Sequence, residues 1–566
     1  MEEMEHMPDR NRKSKGQVSK TIRYLRSRGL QESAAHAVEK VRDSRFDYQK
    51  WILRQEISSV TAGYQMKLRL RRMPRVHVLI FRTAQTAARV TLDSVREQTY
   101  RNLSVTDTLT THIDDHAYIL IVPDGAVLPR HAVFEMVSAL QEGGDALYAD
   151  SDSFRKEGDG IRFFDPKFKP DHNPDYLRSV NYISSPFLVR AGLVRALYAD
   201  EGFGVPDAWK LSDPAAYYDL VLRCAEAADA GQGILHVPRV LCHVPEGAQQ
   251  MPDSAGLRGV LADDLRRRGM EGEVEDGPVP GSFHIRYALQ GEPLVSIVIP
   301  NKDNVSVLEN CIWSIRHRTA WKRYEIVIVE NNSTQQETFD CYRKLEETGQ
   351  ARVVRYGYPF HFSRVVNEGV RQSEGEYVIL MNNDVTVRTP DWIERLLSQC
   401  QRPEVGAAGP KLLYPDGRVQ SAGIVVGLMG FAGSMMVAED GDDPGYMGRA
   451  CLTQDLSALT AACLMVKRSV YMRAGGFAQD LPVALNDVDF CLKLNAEGLR
   501  CVFEPSAVMI HHESLTRGLE DTKEKRERFR KEKKVFRERW KAFLEKGDPA
   551  YNPNLSRRRC DWSQQT

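Results

Sequence analysis

Asn382, Asn383 and Asp384 close an apolar run that begins at Tyr377. Further along come Asn486, Asp487 and Asp489, and a second apolar run ends at His511 and His512. Oxygen ligands at the tip of a buried strand, a later acidic pair and an imidazole can hold a hard cation beside a general base. Transfer of a sugar from a nucleoside-diphosphate donor uses that set of groups. A simple binding module has no need of it.

The elements that position these groups are legible. An apolar run from Leu294 to Ile299 is closed by Pro300, the pattern of a strand buried on both faces. A helical pattern follows at 307–316. A second apolar run from Tyr324 to Val329 then ends at Glu330, Asn331, Asn332 and Ser333. Strands alternating with helices predict a parallel sheet whose ligands sit beyond the carboxyl ends of its strands. The predicted fold is α/β, with two Rossmann-like, mostly parallel sheets in tandem, a helical N-terminal leader and a C-terminal helix.

The first half echoes the second. Val76 to Phe81 resembles the opening strand, Tyr118 to Gly125 resembles residues 377–384, and Tyr217 to Arg223 resembles residues 487–493. Val237-Pro238 with His243 parallels Glu504-Pro505 with His511. The matches keep their order, which points to duplicated domains. Thr99 is close to Tyr118, whereas Thr319 is far from Tyr377, so the first half is expected to lack most of a second strand and its polar tip. Pro123-Asp124-Gly125 stands where the second half has Asn382-Asn383-Asp384, and Tyr217 stands where it has Asp487. A phenol of pKa about 10 is a poor base at neutral pH. The first half reads as a scaffold or acceptor-handling domain without chemistry of its own. The expected divisions are a leader at 1–72, a degenerate domain at 73–250, a linker at 251–292, a catalytic domain at 293–520 and a charged helix and tail at 521–566.

At 566 residues the chain needs at least two cores. Lys plus Arg and Asp plus Glu both number 77, so no global field favours nucleic acid. The basic start at 10–28 and the charged segment 523–541 read first as solvated helices or tails, and second as a peripheral contact with an anionic membrane surface. Ten scattered cysteines form no Cys-x-x-Cys pair, against a disulfide framework or a zinc site. With no signal-peptide core and no spanning apolar run, the expected location is the cytoplasm, with peripheral contact at the inner face of the membrane.

The second half resembles the family 2 glycosyltransferases of the GT-A fold, of the kind that builds bacterial O-antigen, capsule or other surface polysaccharide. The carriers are residues 295–300 and 329–333, Phe362-Ser363 with Asn367, residues 380–384, residues 481–489, and His511 through Ser514. The first half resembles the same family at 148–152 and 164–171. The resemblance implies a metal-dependent, inverting transfer from a UDP- or dTDP-sugar to a growing glycan or lipid-linked acceptor, with Mn²⁺ or Mg²⁺ as cofactor. Asp384 is expected to ligate the metal, and His512, in preference to His511, to complete its shell. Asn382 and Asn383 shape the turn or touch ribose. Pro300, Asn301, Asp303, Glu330, Asn332 and Asn367 would hold base and ribose. Asp487 is expected to be the general base, suited to that work if partial burial lifts its pKa toward neutrality. Asp489, turned away from Asp487 on a helix, caps or holds the loop. Lys411 and Arg517 are weaker candidates for the diphosphate.

Two other readings compete. A catalytically inactive glycan-binding scaffold suits the first half, and would suit the whole chain only without Asp384 or Asp487. A nucleotidyltransferase would carry a Gly-rich basic loop after its first strand, and Asn301-Lys302-Asp303-Asn304 is no such loop.

Overall fold

The structure, a computed structural model, describes residues 46–81, 88–106, 113–158, 160–199, 214–229, 233–247, 254–513 and 522–565. Two sheets dominate. The first contains β1 (Val76–Phe81), β2 (Leu103–Thr106), β3 (Tyr118–Pro123), β4 (Ala146–Glu157), β5 (Gly160–Lys167), β6 (Phe187–Arg190) and β7 (Leu235–Pro245). A hairpin of β8 (Gly272–Asp276) and β9 (Phe283–Tyr287) follows. The second sheet is built from β10 (Val295–Asn301), β11 (Tyr324–Glu330), β12 (Arg352–Arg355), β13 (Tyr377–Met381), β14 (Val385–Val387), β15 (Val405–Leu413) and β16 (Val419–Ser421). After a small hairpin of β17 (Ile424–Val426) and β18 (Ala432–Ser434), it is completed by β19 (Gln454–Leu456), β20 (Cys463–Lys467) and β21 (Arg500–His511). The helices needed below are α1 (Tyr48–Leu53), α2 (Pro174–Ser179), α3 (Pro214–Asp229), α4 (Val305–Arg318), α5 (Phe362–Gln372), α6 (Asn486–Ala496) and α7 (Lys523–Arg539).

β10 shows why this sequence makes a central strand. Val295, Ile297 and Ile299 pack with Leu308, Ile312 and Ile315 of α4, while Val298 joins Val365, Val366 and Val370 of α5. Both faces are apolar because both are covered. On α5, Gly369 permits the close approach. A Cβ there would stand 2.4 Å from Val298 Cγ1 and 2.6 Å from Val329 Cγ2.

The two sheets share a strand order, β2-β1-β3-β6-β4-β7 and β11-β10-β13-β20-β15-β21, with the same directions at each step. The first half does have a second strand, contrary to the sequence expectation. β2 has three half-covered residues and one exposed, Val105, and lies parallel to β1, too short for a clear apolar signal. Nor is 251–292 a bare linker. It holds a helix, Ser254–Arg267, whose Leu257, Leu261 and Leu265 join the first core, and then the β8–β9 hairpin. The leader contributes α1 and a helix at Ser59–Lys67, while residues 1–45 lie outside the described part.

Between the halves lies a buried ion network. Asp175 on α2 receives Arg402 Nη1 at 2.7 Å and Nη2 at 2.9 Å, with Arg178 and Arg500 also at its carboxylate. Burial pushes the Asp175 carboxyl up, but Arg402 and Arg500 outweigh it and hold the group well below the usual range. Asp455, whose Oδ2 accepts from Asp175 N at 3.0 Å, is pushed up to about 7 by burial and by the Asp175 charge. The C-terminal tail also bridges the halves. Asn552 donates to Asp150 and to Lys169 O in the first, while Asp548 accepts from Val426 N in the second.

Arg402→Ala leaves Asp175 buried without its bidentate partner and should cost about 3–5 kcal/mol in denaturant unfolding. Asp455 carries the opposite sign of pH dependence. Its folded value lies above the unfolded one, so its contribution is complete below about pH 4 and lost as pH rises through about 7. Asp455→Asn should therefore gain thermal stability relative to the parent between about pH 5 and about pH 8. A constant difference in Tm across that range would refute the assignment.

Candidate active site

Strand register assembles the rim. Asn301 at the tip of β10 lies beside Glu330 at the tip of β11. Asn301 Nδ2 donates to Tyr342 Oη at 2.7 Å, and its Oδ1 accepts from Asn383 Nδ2 at 2.6 Å, which ties the tip of β13 to β10. Glu330 Oε1 accepts from Ser333 N at 2.6 Å, and Ser333 Oγ accepts from Asp303 N at 3.0 Å. Asp303 Oδ1 accepts from Thr334 N at 2.8 Å and Gln335 N at 3.0 Å. Slight burial opposes the charge, but those N–H groups prevail and hold the Asp303 carboxyl below its usual range. Asp303, Asn304 and Asn332 adopt φ of 50°, 51° and 56°, so the rim is made of tight left-handed turns. Asn332 Nδ2 donates to Tyr358 O at 2.8 Å, and Pro300 sits half-buried before these turns.

Asn367 is placed elsewhere. On α5, its Nδ2 donates to Phe477 O at 2.9 Å, and its Oδ1 accepts from Tyr471 Oη at 2.6 Å and Phe477 N at 2.9 Å. It fixes the turn at Gly475-Gly476 rather than joining the rim.

Asp384 lies just beyond β13, before the β14 strand that pairs Val385 with His511. Its Oδ1 is 3.2 Å from His511 Nε2, while Asn382 Nδ2 is 3.4 Å from the same nitrogen. His512 N donates to Asp384 O at 2.9 Å, and its ring turns to Thr386 Oγ1 at 3.3 Å. The structure thus brings His511, not the preferred His512, to the Asp384 carboxylate. Successive side chains of an extended chain diverge, so only one can do so. His512 instead lines a cavity of about 120 Å³ with Ser306, Val307, Asn310, Asp384 and Thr386.

Among the described residues no group of three or more His, Cys, Asp or Glu is assembled for a metal ion. The donors present nevertheless fit one. Neighbouring ligands each about 2.1 Å from an ion stand about 3 Å apart, close to the Asp384–His511 separation. His511 Nδ1 is buried without a hydrogen-bond partner. One carboxylate with most remaining positions left to water and phosphate is a normal arrangement for Mg²⁺, and the imidazole adds a donor more at home on a transition metal.

Asp487 is the second residue of α6, two after Leu485, which holds φ +61°. Its Oδ1 accepts from Val488 N at 2.9 Å and its Oδ2 from Ala461 N at 3.1 Å. The next residue, Ala462, accepts from Asn382 N at 3.0 Å. One dipeptide therefore links the candidate base to the candidate metal tip. Asn486 Nδ2 donates to Ser363 Oγ at 3.0 Å, anchoring the start of α6 on α5. Asp489 is wholly buried on the other side, held by Arg539 and Trp540.

Lys411 donates to Gly441 O at 2.7 Å from within β15 and is not directed to a diphosphate. Arg517 lies outside the described residues. In the first half, Val127 bridges to His243 as Val385 pairs with His511, so Ala126 takes the place of Asp384. Tyr217 is buried in the core of that half, its hydroxyl donating to Ser184 O. Ser306, Asn310, Thr386 and the Ala461-Ala462 link escaped the sequence reading, because each gains meaning only from its neighbours across the sheet.

Residues 296–473 match the family described as glycosyl transferase family 2. The expected family is thereby met: the second half of the chain is a family 2 glycosyltransferase domain. The chain is 39% identical over 460 residues to an uncharacterized protein of Sinorhizobium fredii (strain NBRC 101917 / NGR234), covering 79% of this chain and 49% of that one. It is 35% identical over 450 residues to O-antigen biosynthesis protein RfbC of Myxococcus xanthus, covering 76% and 33%. It thus spans about half and a third of these relatives' lengths. A shorter stretch of 151 residues is 29% identical to the N-acetylglucosaminyl-diphospho-decaprenol L-rhamnosyltransferase of Mycobacterium tuberculosis, covering 25% of this chain and 49% of that one.

Asn367 separates scaffold from site. Asn367→Ala should lose about 2 kcal/mol of stability through its three bonds while leaving nucleotide affinity unchanged. Isothermal titration with UDP and with dTDP beside a denaturant curve checks both halves of that statement.

Proposed function

We propose that this protein is a metal-dependent, inverting glycosyltransferase that moves a sugar from a UDP- or dTDP-sugar to a growing surface glycan or lipid-linked acceptor at the cytoplasmic face of the membrane. The observation that carries the reading is the join between Asp384–His511 and Asp487 through Ala461-Ala462, with Asp384 and Ala461-Ala462 inside the family 2 match at 296–473 and Asp487 and His511 beyond its end. The O-antigen and rhamnosyltransferase names of the relatives support the acceptor class and a rhamnosyl group as one candidate sugar. No helix among the described residues is long and apolar enough to cross a membrane, so membrane contact would be peripheral.

Each group then has a task. The rim of Asn301, Asp303, Glu330 and Asn332 receives base and ribose, with carboxylate oxygens to accept hydroxyl or ring N–H donors. Asp384 and His511 hold the divalent cation, which when bound offsets the charge of the diphosphate. Asp487 takes the proton from the acceptor hydroxyl as its oxygen bonds to the anomeric carbon. The bond from that carbon to the diphosphate breaks on the opposite face, and the nucleoside diphosphate leaves with the electron pair. Backbone N–H groups of Ala461 and Val488 fix the Asp487 carboxylate for that transfer. The first half, with Ala126 and Tyr217 at the decisive places, serves as a partner without chemistry.

A panel of UDP- and dTDP-sugars with Mn²⁺ or Mg²⁺, read by nucleoside diphosphate release, tests the class directly. Asp487→Asn should reduce release by about 10²–10⁴-fold with donor binding nearly intact. Unchanged turnover would refute the base. Chelation with EDTA should abolish release, and Mn²⁺ should restore it. Asp384→Ala and His511→Ala should each raise the Mn²⁺ concentration required, and His512→Ala should do so less.

A further inference from the structure

We propose that α7 positions the catalytic base, with Glu532, Arg539 and Trp540 as positioning residues that act on Asp487 through its loop; this rests on the reading of Asp487 given above. α7 is densely charged and mostly exposed, yet Glu532 is only 2% exposed. Burying a carboxylate costs free energy unless it is satisfied. Glu532 Oε1 accepts from Val483 N at 2.7 Å and Ala484 N at 3.1 Å, with Arg528 Nε 3.5 Å from the other oxygen.

At the carboxyl end of α7, Arg539 Nη1 and Trp540 Nε1 both donate to Asp489 Oδ1, at 2.8 and 2.9 Å. Arg539 also bonds Asp480. The helix therefore grips residues 480–489 on both sides of Asp487. Between the grips, Leu485 holds φ +61° and ψ 7° with its side chain buried. A branched apolar residue stays in that region only where its surroundings over-determine it. The two grips supply that determination, and the residue they strain stands two before the base.

A role confined to stability predicts a different pattern from a role through Asp487. The test uses the full chain with dTDP-rhamnose and UDP-glucose offered in turn, and whichever is turned over supplies the kinetics. Glu532→Ala should lower kcat by about 10²-fold, the scale of a 1 Å misplacement, with donor KM within about twofold of the parent. Glu532→Gln retains an acceptor oxygen and should recover most of that loss. Hydrogen exchange at the Val483 and Ala484 amides should quicken in the alanine variant. In the Asp487→Asn background, Glu532→Ala should cost nothing more, because both changes act through one group.

Parental kcat in Glu532→Ala beside an inactive Asp487→Asn would overturn this proposal alone, as would an equal loss in both backgrounds. Full turnover in Asp487→Asn would sink the base reading and the proposal with it. If the alanine variant does not fold, Arg539→Lys and Trp540→Phe take its place. Parental kcat with parental amide exchange in both would count against the grip, and a fall in kcat with faster exchange in either would support it.

Discussion

The working half of this protein depends on carboxylates that accept main-chain N–H groups at the ends of strands. Glu330 holds the turn after β11, Asp303 the start of the next helix, Asp487 the loop before β20, and Glu532 the loop before α6. In each case a charge takes up donors that a tight turn leaves without a secondary-structure partner, and such bonds are stronger than neutral ones. The same contact fixes the loop and the carboxylate. Sites assembled this way are rigid without a continuous sheet beneath them, which suits a cleft beyond the strand ends.

That constraint explains what was legible beforehand. β10 and β13 were readable because both faces are covered and the sequence is apolar without alternation. Asp384, Asp487 and the rim at Asn301 and Glu330 stood out as polar groups at the ends of such runs. β2 was missed because four residues, three half-covered and one exposed, carry little pattern. The segment 251–292 was misread because its helix buries one leucine stripe against a core that sequence alone does not show. Asn367 lies in a recognisable motif, yet its three bonds all go to the Tyr471–Phe477 region. Long-range partnerships of that kind leave no local signal, and neither does the pairing of Glu532 with Val483.

The histidine pair illustrates the limit more finely. Sequence reasoning established that one of His511 and His512 faces inward, since neighbours on an extended chain diverge. It preferred His512, with no pairing partner in view to decide between them. The choice follows from β14, three residues long, whose pairing with β21 sets His511 opposite Val385 and so diagonal to Asp384. A register shift of one residue would exchange the two rings.

The halves share a strand order but not a site, and the difference has a physical consequence. In the second half His511 stands beside Asp384, which borders a cavity, whereas His243 of the first half stands beside Asp152 and Phe163. Tyr48 of α1 donates to Asp152 at 2.8 Å, Asp152 meets His243 at 2.5 Å, and Phe163 packs on the His243 ring. The histidine at the place of His511 thus has its Nδ1 on Asp152 and its ring against Phe163. The first half is joined through Asp175–Arg402 and the Asn552 staple to the family 2 domain. Because β21 carries both Arg500 at its start, on the Asp175 network, and His511 at its end, on the Asp384 tip, one strand connects the first half to the site. The buried ion network is accordingly a constraint on where His511 can stand, and not only a source of cohesion between the domains.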